Sequence, residues 1–388
     1  MGLLAPFSLF FRGGESIKIY DPFEKKIFYE DLEFPEKVKG KNLICVPTFF
    51  DFHTHVRLLK NQENYESLQK ACIAGGFSEV LIQPNTNPRL ETKEVHKTHE
   101  QLTKKTYVKF YRTTSLFGNQ EPSGNILCYS TDGIEYTYND LVKNFSKKTP
   151  ALVLDHSQIF ENKGMFYRKI NNIPKRPITN EAIAISRTVL TGIEFNFKDF
   201  HIQHVSSKYS IEIIDFLKRY AYITSEVTPH HLLISNEDIS NSNFKINPPL
   251  CDRKTIEFLK TAVKKDKIDI LATDHAPHPK KPDDFEKAPY GTSNIEIAFS
   301  AFYTALEDVF LVVDKLCKNP RKRLGIKYKF SHENLVIIDI NQTYIVDSSK
   351  FLSKGKNCAF DGMKLKGKII GVKIKGQWGY WDGEYLLD

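Results

Sequence analysis

Residues 51–57 read Asp-Phe-His-Thr-His-Val-Arg and follow the apolar run 43–50. Residues two apart on a β-strand share a face, so His53 and His55 are expected to project together from a strand end. Two neutral imidazoles aimed at one point suit a transition metal. A pair of satisfied histidines on a sheet face is the alternative. Three further strand-like runs stop at metal-binding residue types: 151–155 at His156, 200–203 at His204 and 268–273 at Asp274. A single histidine after a strand is more often structural. Four strand ends of this kind point to a metal centre if the fold brings them together.

The surrounding pattern supplies elements able to do so. Residues 64–74 have helical character and lead through Gly75-Gly76 into a strand at 78–82. Ile211, Ile214, Phe216 and Leu217 lie close to helical spacing in 209–220, and a strand follows at 222–228. The helix at 253–264 and the strand at 268–273 repeat the unit. Repeated β-α units over about 290 residues fit a (β/α)8 TIM barrel, whose C-terminal strand ends converge on one mouth. Distance along the chain then matters little. The ends, 16–46 and 334–388, read as short strands and turns, and are expected to meet as a small β-sandwich domain. The expected organisation is 1–46 and 334–388 as the two parts of that domain, with the barrel over 47–333. No stretch of 20–50 residues recurs, which argues against a solenoid.

Composition narrows the function. The chain has 388 residues, 41% hydrophobic and 26% charged, with a formal net charge of +8. The excess is scattered in pairs such as Lys104-Lys105 and Lys264-Lys265. That describes a solvated surface with a mild pull on anions, and no nucleic-acid partner is expected. Cys45, Cys72, Cys128, Cys251, Cys317 and Cys358 form no CxxC pair. They read as reduced, buried thiols of a cytoplasmic protein. The N-terminal apolar stretch has no basic flank, carries Pro6 and lacks a small-residue cleavage site, so it is not read as a signal peptide. No run approaches transmembrane length, and no membrane association is expected.

The opening stretch, Asp274-His275-Ala276-Pro277-His278 and Gln83-Pro84-Asn85-Thr86-Asn87-Pro88 together resemble the dihydroorotases of the amidohydrolase superfamily. Glu226-Val227-Thr228-Pro229-His230-His231-Leu232, Lys245-Ile246-Asn247-Pro248-Pro249-Leu250, Lys287-Ala288-Pro289-Tyr290-Gly291-Thr292 and the segment 353–362 add to the likeness, which runs from about residue 40 to the end. The HxH pair alone is shared across many amidohydrolases; its combination with the other two stretches is specific. The resemblance implies that His53 and His55 bind one metal ion, and His156 and His204 a second. Relatives bridge the two with a carboxylated lysine or an aspartate. Cys128-Tyr129-Ser130-Thr131-Asp132-Gly133 resembles the aspartate subgroup, which makes Asp132 the bridge; a simple turn aspartate is the alternative. No lysine occurs over 110–142, and Lys109 is the nearest candidate for the other arrangement. Asp274 is implied as the last ligand and the general acid/base. Arg57, Asn85, Asn247 and His278 are implied as substrate-binding, with a surface ion pair as the alternative for Arg57. The chain departs from the family at Leu58-Leu59-Lys60, where Glu-Pro-Gly is usual, at Pro47-Thr48, where Pro-Gly is common, and over 157–180.

The implied function is a zinc-dependent dihydroorotase, with two Zn²⁺ per subunit and a metal-bridging hydroxide. It would interconvert L-dihydroorotate and N-carbamoyl-L-aspartate in de novo pyrimidine (UMP) biosynthesis, as a homodimer able to associate with aspartate transcarbamoylase. Two alternatives stay open. One is another cyclic amidohydrolase, a hydantoinase or allantoinase. The other is a catalytically silent barrel that serves as a scaffold for the transcarbamoylase. His230 and His231 are read as structural, and His96 and His99 as solvated positions on a polar helix.

Overall fold

A computed structural model describes residues 15–35, 42–59, 61–161, 164–168, 170 and 173–387. The N-terminal stretch read above and Lys60 lie outside the described residues. Eight parallel strands follow one another around a barrel: β4 (Phe49–Thr54), β5 (Phe77–Ile82), β6 (Lys109–Ser115), β7 (Ile126–Ser130), β8 (Val153–Asp155), β9 (Asp199–Ile202), β10 (Tyr222–Val227) and β11 (Ile270–Leu271). Side-chain and backbone hydrogen bonds together close the seam between the first and last. Thr273 donates to Asp51 from both its amide (2.9 Å) and its hydroxyl (2.6 Å), and the His55 amide bonds the His275 carbonyl at 3.0 Å.

The strands are positioned by helices that the local sequence starts cleanly. Asn64 and Ser67 form a reciprocal capping box for α1 (Tyr65–Ala74), and Thr92 caps α2 (Lys93–Leu102). Further round lie α3 (Tyr138–Phe145), α4 (Asn180–Glu194), α5 (Lys208–Leu217), α6 (Pro229–Leu233) and α7 (Arg253–Lys264). In α5, Ile211, Ile214 and Leu217 are buried, while Phe216 is 46% exposed. Phe216 falls about 100° round from Leu217, off the three-residue row that meets the barrel. Phe50, Phe52, Leu81, Tyr111, Cys128, Leu152, Leu154, Ile270 and Ala272 make one apolar cluster inside the barrel. The floor of the site is therefore packed hydrocarbon, not a pore.

The two chain ends pair in a second, seven-stranded sheet. Its order is β15 (Glu384–Tyr385), β14 (Gln377–Trp381), β13 (Lys364–Ile374), β12 (Leu335–Ile345), β3 (Leu43–Pro47), β1 (Glu15–Asp21) and β2 (Lys26–Leu32). Alternation splits its apolar residues between two clusters. Ile44, Val46, Val336 and Ile338 join the cluster shared with the barrel helices; Ile17, Ile19, Cys45, Leu335 and Ile337 pack with Phe34 and Trp381 on the other face.

All six cysteines are buried and free. No helix among the described residues is long and apolar enough to cross a membrane. One expectation is overturned. His96 and His99 are not solvated; they are 4% and 1% exposed, because they turn inward from α2, where the Tyr65 hydroxyl bonds His99 Nδ1 at 2.7 Å.

Candidate active site

Period-two alternation delivers the polar residues to the rim. On β7 the inward series Cys128, Ser130 continues to Asp132; on β8 Leu152, Leu154 continues to His156. His53, His55, His204 and Asp274 arrive at the same place from β4, β9 and β11, and all six are buried. Asp132 Oδ2 is the hub. It lies 3.1 Å from His53 Nε2, 3.7 Å from His55 Nε2 and 4.0 Å from His156 Nδ1. His156 Nδ1 faces His204 Nε2 at 2.8 Å, and His55 Nε2 faces Asp274 Oδ1 at 2.9 Å. His204 and Asp274 carry φ angles of 35° and 46°, conformations that a non-glycine residue holds only when its surroundings impose them.

The outer partners decide which nitrogens face inward. Glu226 Oε1 sits 2.6 Å from His53 Nδ1, and its other oxygen is 3.0 Å from His201 Nε2. Burial alone would raise the Glu226 carboxyl, but the His53 and His201 rings beside it hold it down, at about 2. An ionised carboxylate only accepts, so Nδ1 carries the proton and Nε2 of His53 presents its lone pair to the centre. Asn85 does the same for His55. Its Nδ2 donates to Asp132 Oδ1 (2.9 Å), which leaves Oδ1 to accept from His55 Nδ1 (2.8 Å). Gly133 permits this: a Cβ there would lie 2.2 Å from Asn85 Cβ, and its φ is 74°. Lone pairs of His53 and His55 thus point at carboxylate oxygens, an arrangement stable only with protons or a cation between them. Without a cation protons are drawn in. Burial alone would lower the His53 pKa, but Asp274 and Glu226 raise it well above the usual histidine value. Burial and the adjacent His156 instead push His204 well below it, so that ring stays neutral. Its Nδ1 has no hydrogen-bond partner.

The donor set of neutral imidazoles and carboxylates fits a divalent transition metal. His53, His55 and Asp132 each offer a ligand atom within 4.8 Å of the others. Lys109, the candidate for the carboxylated-lysine version, starts β6 at the opposite end of the barrel, its ammonium 4.4 Å from the Tyr111 ring centre.

Beside the cluster is a cavity of about 710 Å³, lined by Arg57, Asn85, Asn247, His278 and Tyr290 together with His55, Asp132, His156 and Asp274. Arg57 donates to the Asn85 carbonyl at 3.0 Å and makes no ion pair among the described residues. His278 bonds the Tyr290 carbonyl at 3.1 Å, and burial together with the Arg57 charge lowers its pKa to about 4. Asn247 Nδ2 lies 2.9 Å from both His156 Nε2 and Gln158 Oε1.

Three contributors escaped the sequence reading. Glu226 and His201 sit behind His53; an acid and a histidine inside two apolar strands were the available signal. Arg176, buried in the divergent 157–180 stretch, donates to Asn247 Oδ1 at 2.6 Å and so turns the amide nitrogen toward His156. Nothing in its local sequence marked it. His231, read as structural, bonds Thr228 Oγ1 at 2.8 Å and the Pro248 carbonyl at 3.1 Å.

Comparison with known proteins agrees with this geometry. A Thermotoga maritima protein provisionally assigned as a dihydroorotase is 52% identical over 96% of this chain and 99% of its own. The dihydroorotase of Caldanaerobacter subterraneus is 31% identical over 88% of this chain and 87% of its own. The chain belongs to the dihydroorotase family. As a member of that family it is an enzyme, a hydrolase of the cyclic-amide type. No family model matches the chain. In fold, this dihydroorotase-family chain is similar to the L-hydantoinase of Arthrobacter aurescens, with a TM-score of 0.79, 19% identity and coverage of 95% of this chain and 96% of that one. The D-hydantoinase of a Thermus species follows at 0.77 and 18%, over 98% and 93%.

Proposed function

We propose that this enzyme interconverts L-dihydroorotate and N-carbamoyl-L-aspartate, the ring-closing step of de novo pyrimidine (UMP) biosynthesis, in the cytoplasm and as a homodimer. One observation carries the choice of substrate. Arg57, which makes no ion pair among the described residues, shares a cavity with the histidine–aspartate cluster. Dihydroorotate bears a carboxylate that a guanidinium fork matches; hydantoin and allantoin bear none.

Two Zn²⁺ would suit these donors: His53 and His55 would hold one and His156 and His204 the other, with Asp132 and Asp274 as further ligands. Bound there, they would lower the pKa of an attacking water and polarise the ring carbonyl. Asp274, at the rim facing His55, takes the proton of that water and returns it to the departing ring nitrogen. Arg57, Asn85 and His278 grip the carboxylate end, and Asn247 donates to the ring. The apolar barrel interior excludes water from below.

Hydrolysis of L-dihydroorotate, hydantoin and allantoin by the purified protein is the test. Dihydroorotate is expected to be the substrate, and Asp274→Asn is expected to lower kcat by about 10²–10⁴-fold, the usual worth of a positioned acid/base. Turnover of hydantoin or allantoin alone, or an Asp274→Asn enzyme as fast as the parent, would overturn the reading.

A further inference from the structure

At the end of the barrel opposite the candidate metal centre, a cleft of about 510 Å³ opens between α2, the start of β6 and the β13–β14 turn. Lys97, Lys104, Lys109, Arg112 and Lys375 line it, against one acid, Glu100. Arg112 is the unusual member. It is 4% exposed, it makes no hydrogen bond or ion pair from its guanidinium among the described residues, and its Nε is buried without a partner. A desolvated cation with no counter-charge is strongly disfavoured. Glu100 acts on it only at a distance, with no ion pair among the described residues, and the groups packed around Arg112 carry no charge. Burial and the Arg112 charge hold His96 and His99 at a pKa of about 4, so both are neutral, and His99 Nε2 also lacks a partner. Tyr65 is a neutral phenol, its pKa raised by burial. At the mouth, Lys375 is anchored by a 2.9 Å bond to the Thr106 carbonyl.

We propose that this cleft is an anion site that takes a phosphoryl group, with Arg112 at its base and Lys104 and Lys375 at its mouth. Several donors converging from α2, β6 and the β13–β14 turn match a ligand with three or more acceptor oxygens and a charge near −2. A free phosphate and the polyphosphate of a nucleotide share that chemistry. Because Lys375 belongs to the sheet domain and Arg112 to the barrel, a bound anion would tie the two together far from the catalytic rim.

The test is titration calorimetry of the full chain with inorganic phosphate, pyrophosphate and a nucleoside triphosphate at matched ionic strength. The comparison is Lys104→Glu/Lys375→Glu, whose changes are confined to the cleft's mouth, together with Arg112→Gln. At least one of the three probes is expected to bind the parent, with the double variant weakened about tenfold or more. The double variant is expected to keep its hydrolytic activity. Phosphate binding as tightly as the triphosphate marks a free-ion site; a preference for pyrophosphate and the triphosphate marks a polyphosphate site. No binding of any probe up to about 10 mM, or equal binding by parent and double variant, would overturn the proposal. The double variant keeps the test valid should Arg112→Gln fail to fold.

Discussion

His53 offers a lone pair to the centre only while its other nitrogen keeps a proton, and Glu226 decides that. Replacing Glu226 by Gln keeps the shape but removes the negative charge that orients the ring. Metal affinity is expected to fall about 10–100-fold, measured by chelator competition, with the fold intact by circular dichroism. An unchanged affinity would leave Glu226 as packing only. Arg57 makes a second residue-scale prediction. Arg57→Gln removes a charge-assisted pair, so KM for dihydroorotate is expected to rise about 10–100-fold while kcat moves little. A loss confined to kcat would contradict a carboxylate-gripping role. At this scale the sequence was informative where a residue ended a strand: His53, His156, His204 and Asp274 each stop an apolar run. It was silent where a side chain acts through another. Arg176 reaches Asn247 across 71 positions, and only the fold shows it.

Elements carry the next layer. The stretches 64–74, 253–264 and 222–228 match α1, α7 and β10 closely because caps and apolar spacing mark them locally. The run 268–273 is regular strand only at Ile270–Leu271, because Thr273 is tied to Asp51 rather than to a neighbouring ladder, and Asp274 then turns into positive φ. The inward turn of His96 and His99 was not legible, since a helix of mixed polarity does not declare which face is buried. α4 offers a stability test. Its Glu181 is buried beside Ser206 and Ser210, and burial raises its pKa to about 7. A raised folded-state pKa contributes stability that is full below the unfolded value near 4.5 and is lost as pH climbs through 7. The shift amounts to about 2–3 kcal/mol between pH 5 and 8. Glu181→Gln is expected to gain stability relative to the parent by that amount over the same range, read from urea midpoints. A pH-independent difference would mean that Glu181 is already ionised at pH 5.

For the whole molecule, the repeated β-α pattern and the β-rich ends announced a barrel and a terminal sheet, because each rests on short-range periodicity. The meeting of the two ends was expected on the same ground, but the pairing of β3 with β12 across nearly 300 residues has no local cue and only the fold shows it. That joining matters for the site. Segment 353–357 returns from the sheet to brace the loop after Asp274: Asn357 Oδ1 accepts from the His278 amide at 2.7 Å, and Asn357 Nδ2 donates to the Ala276 carbonyl at 3.1 Å. This loop, which lines the cavity beside the cluster, is thus held by the far end of the chain. The central claim, that residues spread from 53 to 274 jointly hold metal, is tested most directly by anomalous diffraction at the zinc edge from crystals of the purified protein. The account predicts two peaks within the ring of His53, His55, His156, His204 and Asp274, on either side of Asp132. An empty ring, or anomalous density only elsewhere on the molecule, would contradict it.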